Sequence, residues 1–85
     1  MASPAWKVAT DVAEGYVLLN PVTLKRYESH ELDALQKELE KLTRETRSAT
    51  VATDDSDAAQ TKSRKLLRLS QAGVVLANYR SRMRK

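Results

Sequence analysis

The stretch SHELDALQKELEKLTRETR, residues 29–47, decides the fold. Leu32, Leu35, Leu39 and Leu42 recur at spacings of three, four and three, the rhythm of a single apolar stripe on an α-helix and of a coiled-coil seam. Ser29 is the expected N-cap, and Glu31 and Asp33 fall in the first turn, where the helix dipole favours acids. Asp33/Lys37, Glu40/Arg44 and Lys41/Glu45 are opposite charges four residues apart, each adding about 0.2–0.5 kcal/mol. The pattern predicts a helix over residues 30–47.

A stripe of this kind needs a partner, and the chain offers one beyond a short break. Residues 48–56, SATVATDDS, mix β-branched, small and acidic side chains without a period and read as a linker. A second helix is expected over 57–83, with Asp54 or Ser56 as its cap and Asp57 supporting its positive end. Its apolar face is drawn by Leu66, Leu69, Gly73, Leu76 and Met83, widened by Leu67, Val74 and Ala77. At about 100° per residue these positions span roughly 200°, far more than one helical neighbour covers.

The fold class expected is therefore all-α: an antiparallel helical hairpin, residues 29–85, in a three-helix arrangement or as part of a larger bundle. Two full heptads are fewer than an intermolecular zipper calls for, so the leucine stripe is assigned to the hairpin. Gly73 costs about 1 kcal/mol in mid-helix relative to Ala, and close helix approach is its expected use. In length the hairpin arms are unequal, about 27 Å against about 40 Å at ~1.5 Å rise per residue. The overhang should meet the N-terminal segment.

That segment, residues 1–28, reads as a short helix and a docking strip. Ser3-Pro4 places a favoured cap before a favoured first helical residue, and Trp6, Ala9, Val12, Ala13 and Tyr16 follow at helical spacing until Gly15 interrupts. Tyr16-Val17-Leu18-Leu19 is a continuous apolar run closed by Asn20-Pro21, a second cap-then-Pro signal that starts a turn carrying Leu24. Trp6, Tyr16, Leu18, Leu19 and Leu24 are expected to pack near Val74, Leu76 and Met83.

Composition narrows the function. The chain has 85 residues, no Cys, no Phe, one His and two Gly. A domain this small buries only a little over ~60% of its unfolded surface and usually needs a disulfide, a metal or association. The first is excluded and the second nearly so, which leaves assembly with itself or with another protein. His30 has no second His or Cys with which to build a metal site or a thiol dyad, and it reads as a solvated first-turn residue. Asp54-Asp55-Ser56-Asp57 lacks the Gly and the terminal Glu of a calcium loop. Two glycines cannot form a phosphate-cradling loop. No enzyme, cofactor, metal or small-molecule substrate is expected.

Charge supplies the remaining feature. After Asp57 every charged residue is basic: Lys62, Arg64, Lys65, Arg68, Arg80, Arg82, Arg84 and Lys85. Arg64, Arg68, Gln71 and Arg82 project to one face, with Val75 and Tyr79 among them, which suggests contact as well as solvation. The expected partner-binding residues are accordingly Trp6, Tyr16, Leu18, Leu19, Leu24, Val75 and Tyr79. Arg64, Arg68, Arg80, Arg82 and Arg84 are the expected contacts to phosphates or an acidic partner.

No DNA-binding motif is present, so nucleic acid, met through phosphates alone, is the alternative to a protein partner. Contact with a membrane surface is the weakest of the three partner classes. The longest apolar runs fall far short of the ~20 residues of a membrane span, and the N-terminus resembles neither a secretory signal nor a transit peptide. A cytoplasmic or nuclear location is the expectation. At the level of architecture alone, residues 29–83 resemble the helical-hairpin subunits of secretion co-chaperones and of multi-subunit adaptors, which implies a non-catalytic role.

Overall fold

The computed structural model describes residues 4–49 and 54–83. They form four helices: α1, Ala5–Glu14; α2, Pro21–Leu24; α3, Ser29–Ser48; and α4, Ser56–Met83. Among the described residues there is no strand. α3 and α4 lie within a residue of the bounds read from periodicity, and the all-α hairpin stands.

Their starts differ from expectation in detail. Pro4, not Ser3, occupies the N-cap position of α1, with φ −64° and ψ 155°, because the proline ring suits extended backbone as well as a first turn. Glu28 precedes α3 and Ser29 is already helical. The Glu31 carboxylate accepts from the Glu28 backbone N–H at 2.9 Å, and this bond holds the Glu31 pKa below its ordinary value. At α4 the capping oxygen is Asp55 Oδ1, which accepts from Ala58 N–H at 3.0 Å, where Asp54 or Ser56 was expected. Asn20 behaves as read: its side-chain oxygen accepts from Thr23 N–H at 3.0 Å while Thr23 Oγ1 receives Asn20 N–H at 3.1 Å.

α1 ends in a Schellman turn. Gly15 adopts φ 86°, Tyr16 N–H donates to Asp11 O at 2.8 Å and Gly15 N–H to Val12 O at 3.1 Å, which satisfies carbonyls that the helix end would leave open. Two features favour glycine here. The left-handed φ penalises any side chain, and a Cβ would sit 3.0 Å from Arg68 Cζ.

α3 and α4 run antiparallel: Lys62 near the start of α4 reaches the end of α3, and Arg80 near its finish reaches Asp33 and Gln36. α4, with 28 residues, is about 42 Å long at ~1.5 Å per residue and sets the 48 Å long axis of the molecule. One core joins Val8, Ala9, Val12 and Ala13 of α1, Leu19, Leu24, Leu32, Leu35 and Leu39 with Leu69, Ala72 and Leu76 of α4. Small residues on α1 and α4 let α1 lie close against both arms of the hairpin, while leucines fill the centre.

The phase of α4 departs from the projection. Its buried line is Leu69, Ala72 and Leu76, with Val75 and Tyr79 packed at the core margin. Leu67, Val74 and Ala77, expected to widen the core face, are exposed. The reason is the position of α1, which docks beside Lys65, Arg68 and Ala72 and so draws the core toward Val75 and Tyr79. Leu18 and Leu19 consequently lie beside Ala72 and Val75, well before the end of the helix, and exposed Val74 takes no part in holding the strip. The Met83 side chain named in that expectation lies outside the described residues.

Gly73 also differs. A Cβ there would have nothing within 4 Å, so close helix approach does not explain it. Replacing Gly73 with Ala should raise stability by about 0.5–1 kcal/mol, since the helix gains propensity and nothing is displaced. Urea denaturation of the two chains measures this. Leu35→Ala in the core should cost about 2–5 kcal/mol by the same assay.

Acid titration gives a further check. Because the folded pKa of Glu31 is lowered, its contribution to stability is present above the unfolded-state pKa and is lost as pH falls through the folded one. Carboxyl NMR should show Glu31 titrating below its unfolded-peptide value, and Glu28→Pro, which removes the donor, should return it toward that value.

Candidate partner-binding surface

The basic residues of α4 are largely occupied within the chain. Lys62 Nζ donates to the backbone oxygens of Arg47 at 3.1 Å and Ala49 at 2.9 Å, meeting the open carbonyls and negative dipole end of α3. Arg68 Nη1 donates to Ala13 O at 3.1 Å, doing the same for α1. Lys65 Nζ lies 3.1 Å from Glu14 Oε1, an acid placed at the unfavourable end of α1 and offset by this cation. Arg80 donates to Gln36 and stands 3.6 Å from Asp33 Oδ1.

Among the expected phosphate contacts, then, Arg68 and Arg80 are half-buried and engaged. Arg64 and Arg82 are exposed. Arg84 lies outside the described residues. The single charge sign of α4 beyond Asp57 thus has a local physical cause, because the helix runs past the carboxyl ends of two others and meets the acids of α1 and α3. Charge count alone could not show this; only the antiparallel direction and the place of α1 do.

The expected apolar contacts divide as well. Leu19 and Leu24, at 3% and 0% exposure, belong to the chain's own core and are withdrawn as partner contacts in the folded chain. Val75 and Tyr79 are partly buried against that core. Trp6, Tyr16 and Leu18 remain at the surface, Tyr16 at 80% and Leu18 at 78%. The projection missed three others: Val22, Leu67 and Val74, all exposed.

Tyr16, Leu18 and Val22 stand within seven residues of chain, and Leu18 edges a groove of about 160 Å³ lined by Val12, Val17, Leu19, Ala72 and Val75, with Arg68 and Gln71 at its polar side. The alternation explains the arrangement: in the extended strip 16–19, Leu19 turns into the core while Leu18 turns out. His30 is exposed, with Nδ1 3.4 Å from Glu28 Oε2, as a first-turn residue should be. Among the described residues no group of three metal-ligating side chains comes together, and no helix is long and apolar enough to cross a membrane.

Comparison with known protein families, curated proteins and solved structures finds no match. The functional reading therefore rests on the chemistry of the chain itself.

The division between engaged and free cations is measurable. Arg68→Met should cost about 1–3 kcal/mol, because a charged hydrogen bond is lost and the Ala13 carbonyl is left open. Arg64→Met, on an exposed position, should stay within about 0.5 kcal/mol of the parent. Equal losses in urea denaturation would contradict the assignment.

Proposed function

We propose that this chain is a non-catalytic helical protein–protein interaction module, a small subunit or adaptor of a larger assembly. The observation that carries this reading is the exposure of Trp6, Tyr16, Leu18, Val22, Leu67 and Val74. Scattered apolar surface residues are ordinary, but a chain of 85 residues with a core of Leu, Val and Ala would gain from burying these six. Each large apolar side chain moved from water to a packed interface contributes about 1.5–3 kcal/mol. Leu18 at the edge of an apolar groove, with Tyr16 and Val22 exposed nearby in the chain, gives a partner a place to anchor, and aromatic and aliphatic anchors of this kind dominate interface energetics.

The nucleic-acid alternative is weakened by the same geometry. Phosphate binding scales with the number of cations free to neutralise phosphates, and Lys62, Lys65, Arg68 and Arg80 already serve other groups.

The test is recovery of the tagged chain from its native source with nuclease treatment. A stoichiometric protein partner should be retained through nuclease and through Arg64→Glu/Arg82→Glu, and lost with Tyr16→Ser/Leu18→Ser. Nuclease-sensitive recovery that the charge reversals abolish would overturn the reading in favour of nucleic acid.

A further inference from the structure

The outward face of α4 has a period of its own. Ser56, Gln60, Ser63, Leu67, Ser70, Val74, Ala77 and Ser81 follow at alternating spacings of four and three, and all eight are exposed. No charged residue of α4 lies within about 60° of this line at ~100° per residue. The solvent face of α3 is the internal contrast, carrying Lys37, Glu40, Lys41, Arg44 and Glu45, all exposed. A helix face meant only for water is normally charged. This one holds Leu67 at 58% exposure and Val74 at 57% in a setting of serine, alanine and glutamine.

We propose that this face is a self-association seam on which a second copy of the chain packs its own α4 antiparallel. The proposal rests on the reading of the chain as an interaction module and names the partner for one of its faces. Two features single out a second copy. The first is size. Gln60, Leu67 and Val74 occupy one of the two repeating positions, and Ser63, Ser70 and Ala77 the other. An antiparallel two-fold pairing, with the axis between residues 68 and 69, sets Gln60 against Ala77, Ser63 against Val74 and Leu67 against Ser70 of the other copy. Large then meets small in every one of these layers. Parallel pairing would set large against large and small against small, leaving the helices alternately forced apart and unfilled.

The second feature is charge. The turn before α4 and its first residues carry Asp54, Asp55 and Asp57, and its finish carries the exposed Arg82. Antiparallel pairing brings the acidic end of one copy to the basic end of the other, at both ends of the seam. Parallel pairing brings like to like. A two-fold interface must be self-complementary, and this face is so in both size and charge. The side of α4 that meets α1, marked by Arg68, lies away from it, while on the other side Ser70 borders the groove with Leu39 and Arg44 of α3, and Ala77 and Ser81 border the one with Gln36.

The test is sedimentation equilibrium over low micromolar to millimolar concentration, with Leu67→Lys/Val74→Lys as the seam variant and circular dichroism to confirm unchanged helicity. The parent should dimerise reversibly, and the variant should raise the dissociation constant by on the order of tenfold or more. Because the chain has no cysteine, orientation can be read by disulfide formation. A mixture of Gln60→Cys and Ala77→Cys chains should cross-link with each other, and neither alone. Cross-linking of each variant alone, a parent that stays monomeric throughout, or a dimer indifferent to Leu67→Lys/Val74→Lys would overturn the proposal. None of these outcomes touches Tyr16 and Leu18, so partner recovery through those residues is judged separately.

Discussion

The fold depends on α4 being lined on two adjoining sides by different helices. Leu69, Ala72 and Leu76 form its buried line, with α3 antiparallel along one flank and α1 against the other. Among the described residues, the largest side chains almost wholly buried, Leu24, Leu32, Leu35, Leu69 and Leu76, are all leucines, and each contributes on the order of 1.5–3 kcal/mol by leaving water. The basic side chains of α4 act at a smaller scale. Charged hydrogen bonds of about 1.5–3 kcal/mol when well desolvated, and less at a half-exposed surface, satisfy the open carbonyls at the ends of α1 and α3. Burial thus sets the stability, and the cations complement the helix ends.

This division explains how one helix can be both apolar and basic. A helix with apolar residues over a wide arc must cover them or offer them. Here part of the arc is covered by α1 and α3, and the part bearing Leu67 and Val74 is left open. The cations sit along the boundary between these sectors, where the carbonyl ends of Ala13, Arg47 and Ala49 lie within reach. The surface left for other molecules is uncharged in two places, the largely apolar Tyr16–Val22 strip and the outer face of α4, where Leu67 and Val74 stand among small and polar residues.

The helices were legible in the sequence because local signals agree with one another: leucine spacing in α3, proline after a cap at α2, glycine at the end of α1. The side of α4 that faces inward was not. Its apolar residues occupy so wide an arc that any of several sectors can be the core, and the choice falls to α1, whose position no local pattern states. Val75 and Tyr79 were therefore assigned outward and lie at the core margin, and Leu67 and Val74 were assigned inward and lie in water. Leu19 and Leu24 were read as a docking strip for the same reason, since a short apolar run does not say whether it is buried by its own chain or by another. The roles of Lys62 and Arg68 depend on residues 13 and 55 positions away in sequence, beyond what periodicity can reach.

The central claim is that the arginines of α4 differ in kind, two being structural and two free. Guanidinium NMR tests it most directly in the folded chain. Arg68 and Arg80 should show resolved, exchange-protected side-chain resonances from restricted rotation, while Arg64 and Arg82 give averaged signals in fast exchange with water. Four equivalent, averaged guanidinium groups would contradict it.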